Sequence, residues 1–343
     1  MRTKIQNLRP LIFTSCWIGE DRIAVGTKDN QLTVWDIHQN DLRQIELPYT
    51  TVIYDRGCGI HDMDFCELGT NGLFICGGDS PNDIALFETN SFQPIGLLQG
   101  HSDWMFGCKF VSENMIVSGG KDGNIYFWKC DKFSQRAQNG ISQKNSQQRS
   151  FTVINPFGGI FSDNGKIRCV SVEKTRKICM SLNTNGTVGL WDAESMRHIQ
   201  NEVLNDYSEL NTMDVKQQDN LIAVGSKGYT SLIDPRSDNE ALCIAHVDIK
   251  WGVRSVLFLD NFLVIGGGSG VVSFVDMRNP IQFNHIIYHK CNGVVRNGDV
   301  LVNENEIPQA VYTISHNKSK TSLFVGGGPL FVGASGYFGS VWN

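Results

Sequence analysis

Residues 100–128 read GHSDWMFGCKFVSENMIVSGGKDGNIYFW, and this stretch decides the fold. It contains two short apolar runs, MIVSGG and NIYFW, that meet at Lys121, Asp122 and Gly123. Gly and Asp between two such runs are typical of a tight turn that joins antiparallel strands. The stretch therefore predicts a β-hairpin whose turn carries a lysine.

The end of this hairpin recurs along the chain. The matching units are TVWD at 33–36, ALFE at 85–88, YFWK at 126–129, GLWD at 189–192, SLID at 231–234, FVD at 274–276 and SVWN at 340–343. The aligned position falls at 35, 87, 128, 191, 233, 275 and 342, so the basic period is close to 42 residues with insertions. Self-similarity at this period indicates a repeat architecture.

Two further strands precede each unit, one alternating and one ending in small residues, as in MFGCKF and MIVSGG. Three strands and a variable fourth in each repeat are typical of a β-propeller blade. We therefore predict one all-β domain over residues 1–343, a seven-bladed WD-repeat β-propeller. The last repeat stops at its third strand, so residues 2–8 are expected to pair with it and to close the ring.

The repeat at 100–128 has the fullest WD-type pattern. His101, Ser118, Asp122 and Trp128 occupy the positions that form a buried hydrogen-bonded network within a blade, and we assign them a structural role. Two long spacings predict surface insertions near 132–160 and 279–308. The first contains a polar stretch rich in Gln and Ser, which is typical of a mobile loop, and part of the second is expected to be ordered on the propeller.

Composition excludes several kinds of function. The formal net charge of −5 argues against a nucleic-acid partner, and neither a signal peptide nor a membrane-spanning run occurs. The ten cysteines are scattered, as expected in the cytoplasm or nucleus. We find no metal-spaced histidine pair, no nucleophile elbow and no cofactor motif, so we predict no metal, no cofactor and no enzyme.

Basic residues recur at two positions of the repeat. The position before the turn Asp holds Lys28, Lys121 and Lys227, and the start of the inner strand holds Arg168 and Arg254, with Lys166 two residues before Arg168. Equivalent positions of a propeller form a ring, so these side chains are expected at one mouth of the channel. One reading is a basic pocket for a carboxylate-rich ligand, and the other is a set of solvated turn residues.

Several longer motifs resemble one family. They are GCGIHDMDF, GGDSPNDIALF, the 100–128 stretch, GVRSVLF, DPR at 234–236 and the tail AVYTISHNKSKTSLFVGGGPLFVGASGYFGSVWN. They are similar to the DCAF group of WD-repeat substrate receptors of cullin-4 RING ubiquitin ligases, and in particular to its twelfth member. The likeness spans nearly the whole propeller.

This resemblance implies a receptor for proteins that end in two glutamates, bound in a basic pocket at the propeller centre. The family's pocket positions match Arg9, Lys28, Lys121, Lys166, Arg168, Arg254 and Arg278. It also implies a partner, the ligase adaptor of the damaged-DNA-binding protein type. Lys121 stands where the family usually has arginine, so it keeps the charge but not the two-pronged fit to a carboxylate.

Two questions stay open at this point: how the adaptor is contacted, and whether the chain has a ligase role at all. The chain begins close to its closing strand, whereas the family carries a basic N-terminal extension and a helical segment that dock on the adaptor. Three possibilities follow. The propeller surface alone contacts the adaptor, or this chain is a shortened form of a protein that contacts it, or the protein binds substrates without delivering them to a ligase. The second candidate function is a WD-repeat protein-interaction scaffold without a ubiquitin-ligase role.

Overall fold

The computed structural model describes residues 2–5, 11–50, 59–69, 71–130, 151–161, 165–204, 208–237, 241–245, 251–278, 287–290, 294–297, 300–301, 308–330 and 334–343. Every regular element among these residues is a β-strand. No helix in these ranges is long and apolar enough to span a membrane.

The strands follow the chain in this order: β1 Arg2–Lys4, β2 Ile12–Ile18, β3 Arg22–Thr27, β4 Leu32–Asp36, β5 Asp41–Ile45, β6 Met63–Leu68, β7 Asn71–Gly77, β8 Ile84–Glu88, β9 Pro94–Leu98, β10 Met105–Ser112, β11 Met115–Gly120, β12 Asn124–Lys129, β13 Thr152–Ile154, β14 Gly158–Phe161, β15 Ile167–Glu173, β16 Ile178–Asn183, β17 Thr187–Asp192, β18 Arg197–Val203, β19 Thr212–Lys216, β20 Leu221–Gly225, β21 Tyr229–Ile233, β22 Leu242–Ala245, β23 Val253–Leu259, β24 Phe262–Gly267, β25 Val271–Asp276, β26 Ile287–Lys290, β27 Val294–Asn297, β28 Val300–Leu301, β29 Gln309–His316, β30 Leu323–Pro329 and β31 Ala334–Trp342.

Seven sheets form a ring, which confirms the predicted seven-bladed β-propeller. From the inside outwards, blades 1 to 6 are β2–β5, β6–β9, β10–β12 with β14, β15–β18, β19–β22 and β23–β26, and blade 7 is built on β29–β31. Each innermost strand contacts the innermost strands of its two neighbours, and β29 contacts β2 to close the circle. Apolar side chains on alternate positions fill the space between adjacent blades.

The ring is closed by the two ends of the chain, as predicted. Strand β1 pairs antiparallel with β31, from Arg2 opposite Trp342 to Lys4 opposite Ser340. The other end of β31 pairs with β27, where Val294 lies opposite Tyr337. Two separate segments therefore share the outer position of blade 7 and leave little of β31 as an open edge.

Both predicted insertions contribute strands. After β12, residues 131–150 lie outside the described part, and β13 then joins blade 2 in parallel with β9 before β14 returns to complete blade 3. The first insertion thus ties blade 2 to blade 3. The second insertion supplies β26 of blade 6 and the β27–β28 hairpin beside blade 7.

The predicted network of blade 3 is present. The His101 ring lies 3.0 Å from Asp122 through Nδ1 and 2.8 Å from the Ser118 hydroxyl through Nε2, and Trp128 Nε1 donates to the same hydroxyl at 2.9 Å. The backbone N–H of Ser102 donates to Asp122 at 3.0 Å. These contacts fix the loop before β10 to the turn before β12.

All seven innermost strands begin at one end of the ring, which also carries the turns between the second and third strands. We call this end the mouth face and the opposite end the far face. In blade 3, for example, the N–H of Lys121 in the turn donates to the carbonyl of Trp104, which precedes β10. The two basic positions of the repeat therefore lie on the same face.

A candidate ligand site at the mouth of the central channel

One side chain from each blade forms a ring where the channel opens at the mouth face. Blade by blade, the ring consists of Phe13, His61, Phe106, Arg168, Asn211, Arg254 and Tyr312. All seven line one cavity of about 770 Å³, which continues between the innermost strands. We call these seven side chains the mouth ring.

Five members of the mouth ring stand at β-bulges. The ladder between the first and second strands skips one residue in blades 1, 3, 4, 6 and 7, and the skipped residues are Phe13, Phe106, Arg168, Arg254 and Tyr312. A bulge leaves its extra residue without a cross-strand partner and re-aims the side chain. The bulges explain why large side chains at these positions turn into the channel.

One half of the mouth ring is aromatic. The ring of Phe13 lies 5.5 Å from Tyr312 and stacks on His61 at 5.3 Å, and His61 meets the ring of Phe106 at 5.0 Å. Burial, with the nearby charge of Arg168, lowers the pKa of His61 to about 3. The imidazole is therefore neutral at neutral pH and adds no positive charge to the mouth.

The other half contains the two arginines. The guanidinium of Arg168 lies 4.9 Å from the centre of the Phe106 ring, a cation–π contact that joins the two halves. Arg254 donates through Nη2 to the carbonyl of Trp251 at 3.1 Å. Its Nε is buried and has no hydrogen-bond acceptor among the described residues. Asn211 lies between them in the ring and donates to the carbonyl of Val253 at 3.3 Å.

The predicted lysines surround the mouth ring without lining the cavity. Lys28 and Lys166 are held through backbone hydrogen bonds, and neither forms an ion pair with a described residue. Lys121 Nζ lies 3.1 Å from Asp103 and 4.5 Å from the centre of the Trp104 ring. Only Arg168 and Arg254, of the described residues predicted to bind a ligand, face the cavity itself.

Two carboxylates offset part of the positive charge on the mouth face. Asp103 pairs with Lys121, and Glu209 pairs with both Lys227 at 3.2 Å and Arg254 at 3.5 Å. The backbone N–H of Trp104 lowers the pKa of Asp103, as do the hydrogen bond and charge of Lys121. The mouth face is therefore less positive than the basic residues alone suggest.

Arg278 is not brought to the mouth. It follows β25, whose last residue Asp276 lies opposite Phe262 at the far-face end of blade 6. Its Nε donates to both carboxylate oxygens of Asp276, at 2.9 and 3.1 Å. One blade earlier, Arg236 binds Asp234 in a similar way, with Nε donating to one oxygen and Nη2 to the other. We therefore leave Arg278 out of the candidate site, and Arg9 lies outside the described residues.

Charged residues deeper in the channel were missed from the sequence. Asp62 forms an ion pair with Lys109 and accepts the backbone N–H of Cys108 at 2.9 Å, and Asp64 accepts that of Phe110 at 2.8 Å. Burial by itself lowers the pKa of Lys109, but the negative charges of Asp62 and Asp64 outweigh burial, and the net effect is a raised pKa. The alternation of Asp62 and Asp64 in HDMDF could have shown that both face the channel.

The mouth thus combines cations, an aromatic wall and a buried donor, Arg254 Nε, that has no acceptor among the residues the structure describes. Guanidinium and ammonium groups bind carboxylates through charge-assisted hydrogen bonds, and the aromatic rings can pack against methylene groups. An extended peptide end with several carboxylates has both features. The geometry suits binding of such a ligand.

Two comparisons with known proteins bear on this assignment. Part of the chain is similar to the APC/C activator protein CDH1 of Saccharomyces cerevisiae, with 28% identity over 115 residues, and the match covers 33% of this chain and 19% of the yeast protein. Residues 7–299, most of the chain, match the family described as the DDB1- and CUL4-associated factor 12 beta propeller. The chain belongs to this DCAF12 β-propeller family.

Proposed function

We propose that this chain is a non-catalytic substrate receptor of a cullin-4 RING ubiquitin ligase, and that it binds protein C-termini ending in two glutamates at the mouth ring. Family membership implies association with the CUL4–DDB1 complex and so supports the first part. The arrangement of charge at the mouth supports the second.

The buried Nε of Arg254 is the observation that carries the ligand assignment. A buried donor without an acceptor costs about 1–3 kcal/mol, and charged donors cost more. A ligand carboxylate that reaches this edge of the guanidinium supplies the missing acceptor. Arg254 is mostly buried, with 19% of its side chain exposed, so the contact forms with little competition from water.

The number of charges also fits. A chain that ends in Glu-Glu offers three carboxylates, and the mouth face presents Arg168 and Arg254 with Lys28 and Lys166 around them. The aromatic half of the ring, Phe13, Phe106 and Tyr312, lies beside these cations and can receive the methylene groups of the glutamates.

Arg168→Ala tests the ligand assignment. We expect a short peptide ending in Glu-Glu to bind the unaltered protein and to bind Arg168→Ala at least about tenfold more weakly, because one charge-assisted contact of about 1.5 kcal/mol is lost. Arg176→Ala is the matched control, since Arg176 pairs with Glu173 beside the turn between β15 and β16 on the far face. Equal loss in both variants, or no loss in either, would reject the mouth ring as the site.

Co-purification tests the ligase assignment. The tagged protein is expected to co-purify with the adaptor of the cullin-4 ligase from cell extract. Arg168→Ala is expected to co-purify with the same amount, because the mouth ring binds the substrate and is not needed for the adaptor. Absence of the adaptor would favour the second candidate, a protein-interaction scaffold without a ligase role. The ion pairs that already engage Lys121 and Arg254 are the observation in favour of that alternative.

A further inference from the structure

We infer that Glu209 is an internal competitor of the ligand: its carboxylate occupies the place between Arg254 and Lys227 that a ligand carboxylate takes, and it moves aside on binding. This inference rests on the proposed function. The proposed function concerns residues that provide the affinity of the site. The inference adds one residue that lowers this affinity.

Glu209 bridges two cations from different blades. One carboxylate oxygen lies 3.2 Å from Nζ of Lys227, in the turn between β20 and β21, and the other lies 3.5 Å from Nη2 of Arg254, at the start of β23. A single carboxylate that spans two basic groups at the mouth of the channel has the geometry expected of the ligand itself.

The backbone around Glu209 is held in place. Its carbonyl accepts a hydrogen bond from Asn211 Nδ2 at 2.7 Å, and the neighbouring carbonyl of Ser208 accepts one from the N–H of Lys227 at 3.0 Å. Glu209 has a φ of 51°, a conformation uncommon for residues other than glycine. The side chain is half-exposed, with 47% of its area open to solvent. Release of the two cations therefore needs only side-chain rotation.

The pair between Glu209 and Arg254 is loose compared with the structural pairs of the same protein. Arg236 donates to Asp234 through both Nε and Nη2, at 2.9 and 2.8 Å. Glu209 reaches Nη2 of Arg254, at 3.5 Å, and leaves Nε without an acceptor in the part of the chain that the structure describes. A ligand carboxylate that engages Nε has an advantage over Glu209, so displacement is favourable.

Asp103 is a weaker candidate for the same role. It pairs with one cation, Lys121, which the Trp104 ring also holds at 4.5 Å, and its carboxylate accepts the N–H of Trp104 at 2.8 Å. Asp103 thus has a local structural partner that Glu209 lacks among the described residues. This difference points to Glu209 as the carboxylate that the ligand displaces.

The test compares Glu209→Gln with the unaltered protein in titrations with a peptide that ends in Glu-Glu. Gln keeps the size of the side chain and removes its charge. We expect Glu209→Gln to bind the peptide roughly 3- to 10-fold more tightly, since two partly exposed ion pairs no longer have to be broken. Glu194→Gln is the matched control, because Glu194 pairs with Lys177 on the exposed far face, and it should leave the affinity unchanged.

Each outcome decides the matter. Weaker or equal binding by Glu209→Gln, with the unaltered protein still binding in an Arg168-dependent way, rejects the inference and leaves the proposed function standing. An equal gain in Glu194→Gln also rejects it, because net charge alone then explains the effect. If neither the unaltered protein nor Glu209→Gln binds the peptide, the proposed function and the inference both fail.

Discussion

Substitution of Arg254 examines the mouth ring where its chemistry is most specific. In the unliganded protein the side chain gives one hydrogen bond to the Trp251 carbonyl and a loose ion pair to Glu209, while Nε has no acceptor among the described residues. A ligand carboxylate bound by the two-pronged edge of the guanidinium adds two charge-assisted hydrogen bonds, each worth about 1.5–3 kcal/mol.

The size of the effect follows from these contacts. Arg254→Ala removes at least about 3 kcal/mol of ligand contacts and gains back at most about 1 kcal/mol, because the half-exposed pair with Glu209 no longer has to be broken. The net loss is at least about 2 kcal/mol, or roughly 30-fold in Kd. Arg254→Lys keeps the charge and loses the fork, so we expect an intermediate loss of about tenfold.

Isothermal titration with a Glu-Glu peptide measures both variants, and thermal unfolding checks that each one is folded. The order of affinity should be Arg, then Lys, then Ala. Folded Arg254→Ala with unchanged Kd would refute the reasoning, and Lys and Ala variants that lose the same affinity would refute the role of the planar fork.

Three further predictions concern the scaffold. Trp128→Phe should lower the free energy of unfolding by about 1–3 kcal/mol, since the buried Ser118 hydroxyl loses the donor of a hydrogen bond; equal stability in chemical denaturation would show the network to be dispensable. Deletion of residues 1–5 should lower Tm by several degrees because β31 loses the pairing with β1, and an unchanged Tm would contradict the closure. The pKa of His61 is lowered to about 3, whereas an unfolded histidine titrates near 6.5, so the free energy of unfolding should fall as pH drops below about 6.5, by up to about 1.4 kcal/mol per pH unit. His61→Phe should flatten that slope. An identical slope in both proteins would argue against a buried neutral imidazole.

The repeat in the sequence predicts much of this fold because each blade is built by the same local rules. The strands, the turn at Lys121 and the contacts of His101 with Ser118 and Asp122 all follow from spacing within one repeat. Closure by β1 follows from a count of strands in the last repeat. In each case the interacting residues occupy fixed positions of the repeat.

Parts of the site could not be predicted in this way. The bulges that turn Arg168 and Arg254 into the channel are shifts of one residue in the ladder, and apolar alternation does not mark them. The pairing of Glu209 with Arg254 joins the loop before β19 of blade 5 to the start of β23 of blade 6 and depends on side-chain directions. The resemblance alone places Arg278 in the site, whereas its position just after a third strand puts it on the far face. The sequence carries a sign of this, because Asp-x-Arg occurs at both 234–236 and 276–278 and indicates a local contact within a turn.

The most direct test of the central claim varies the ligand and leaves the protein unaltered. Four peptides of the same sequence would be titrated against it, ending in Glu-Glu with a free carboxylate, Glu-Glu amide, Gln-Gln with a free carboxylate, and Gln-Gln amide. Recognition of carboxylates at the mouth ring predicts that each carboxylate removed weakens binding by roughly tenfold, because each loses a charge-assisted contact of about 1.5 kcal/mol or more. Equal affinity for the four peptides would contradict the account.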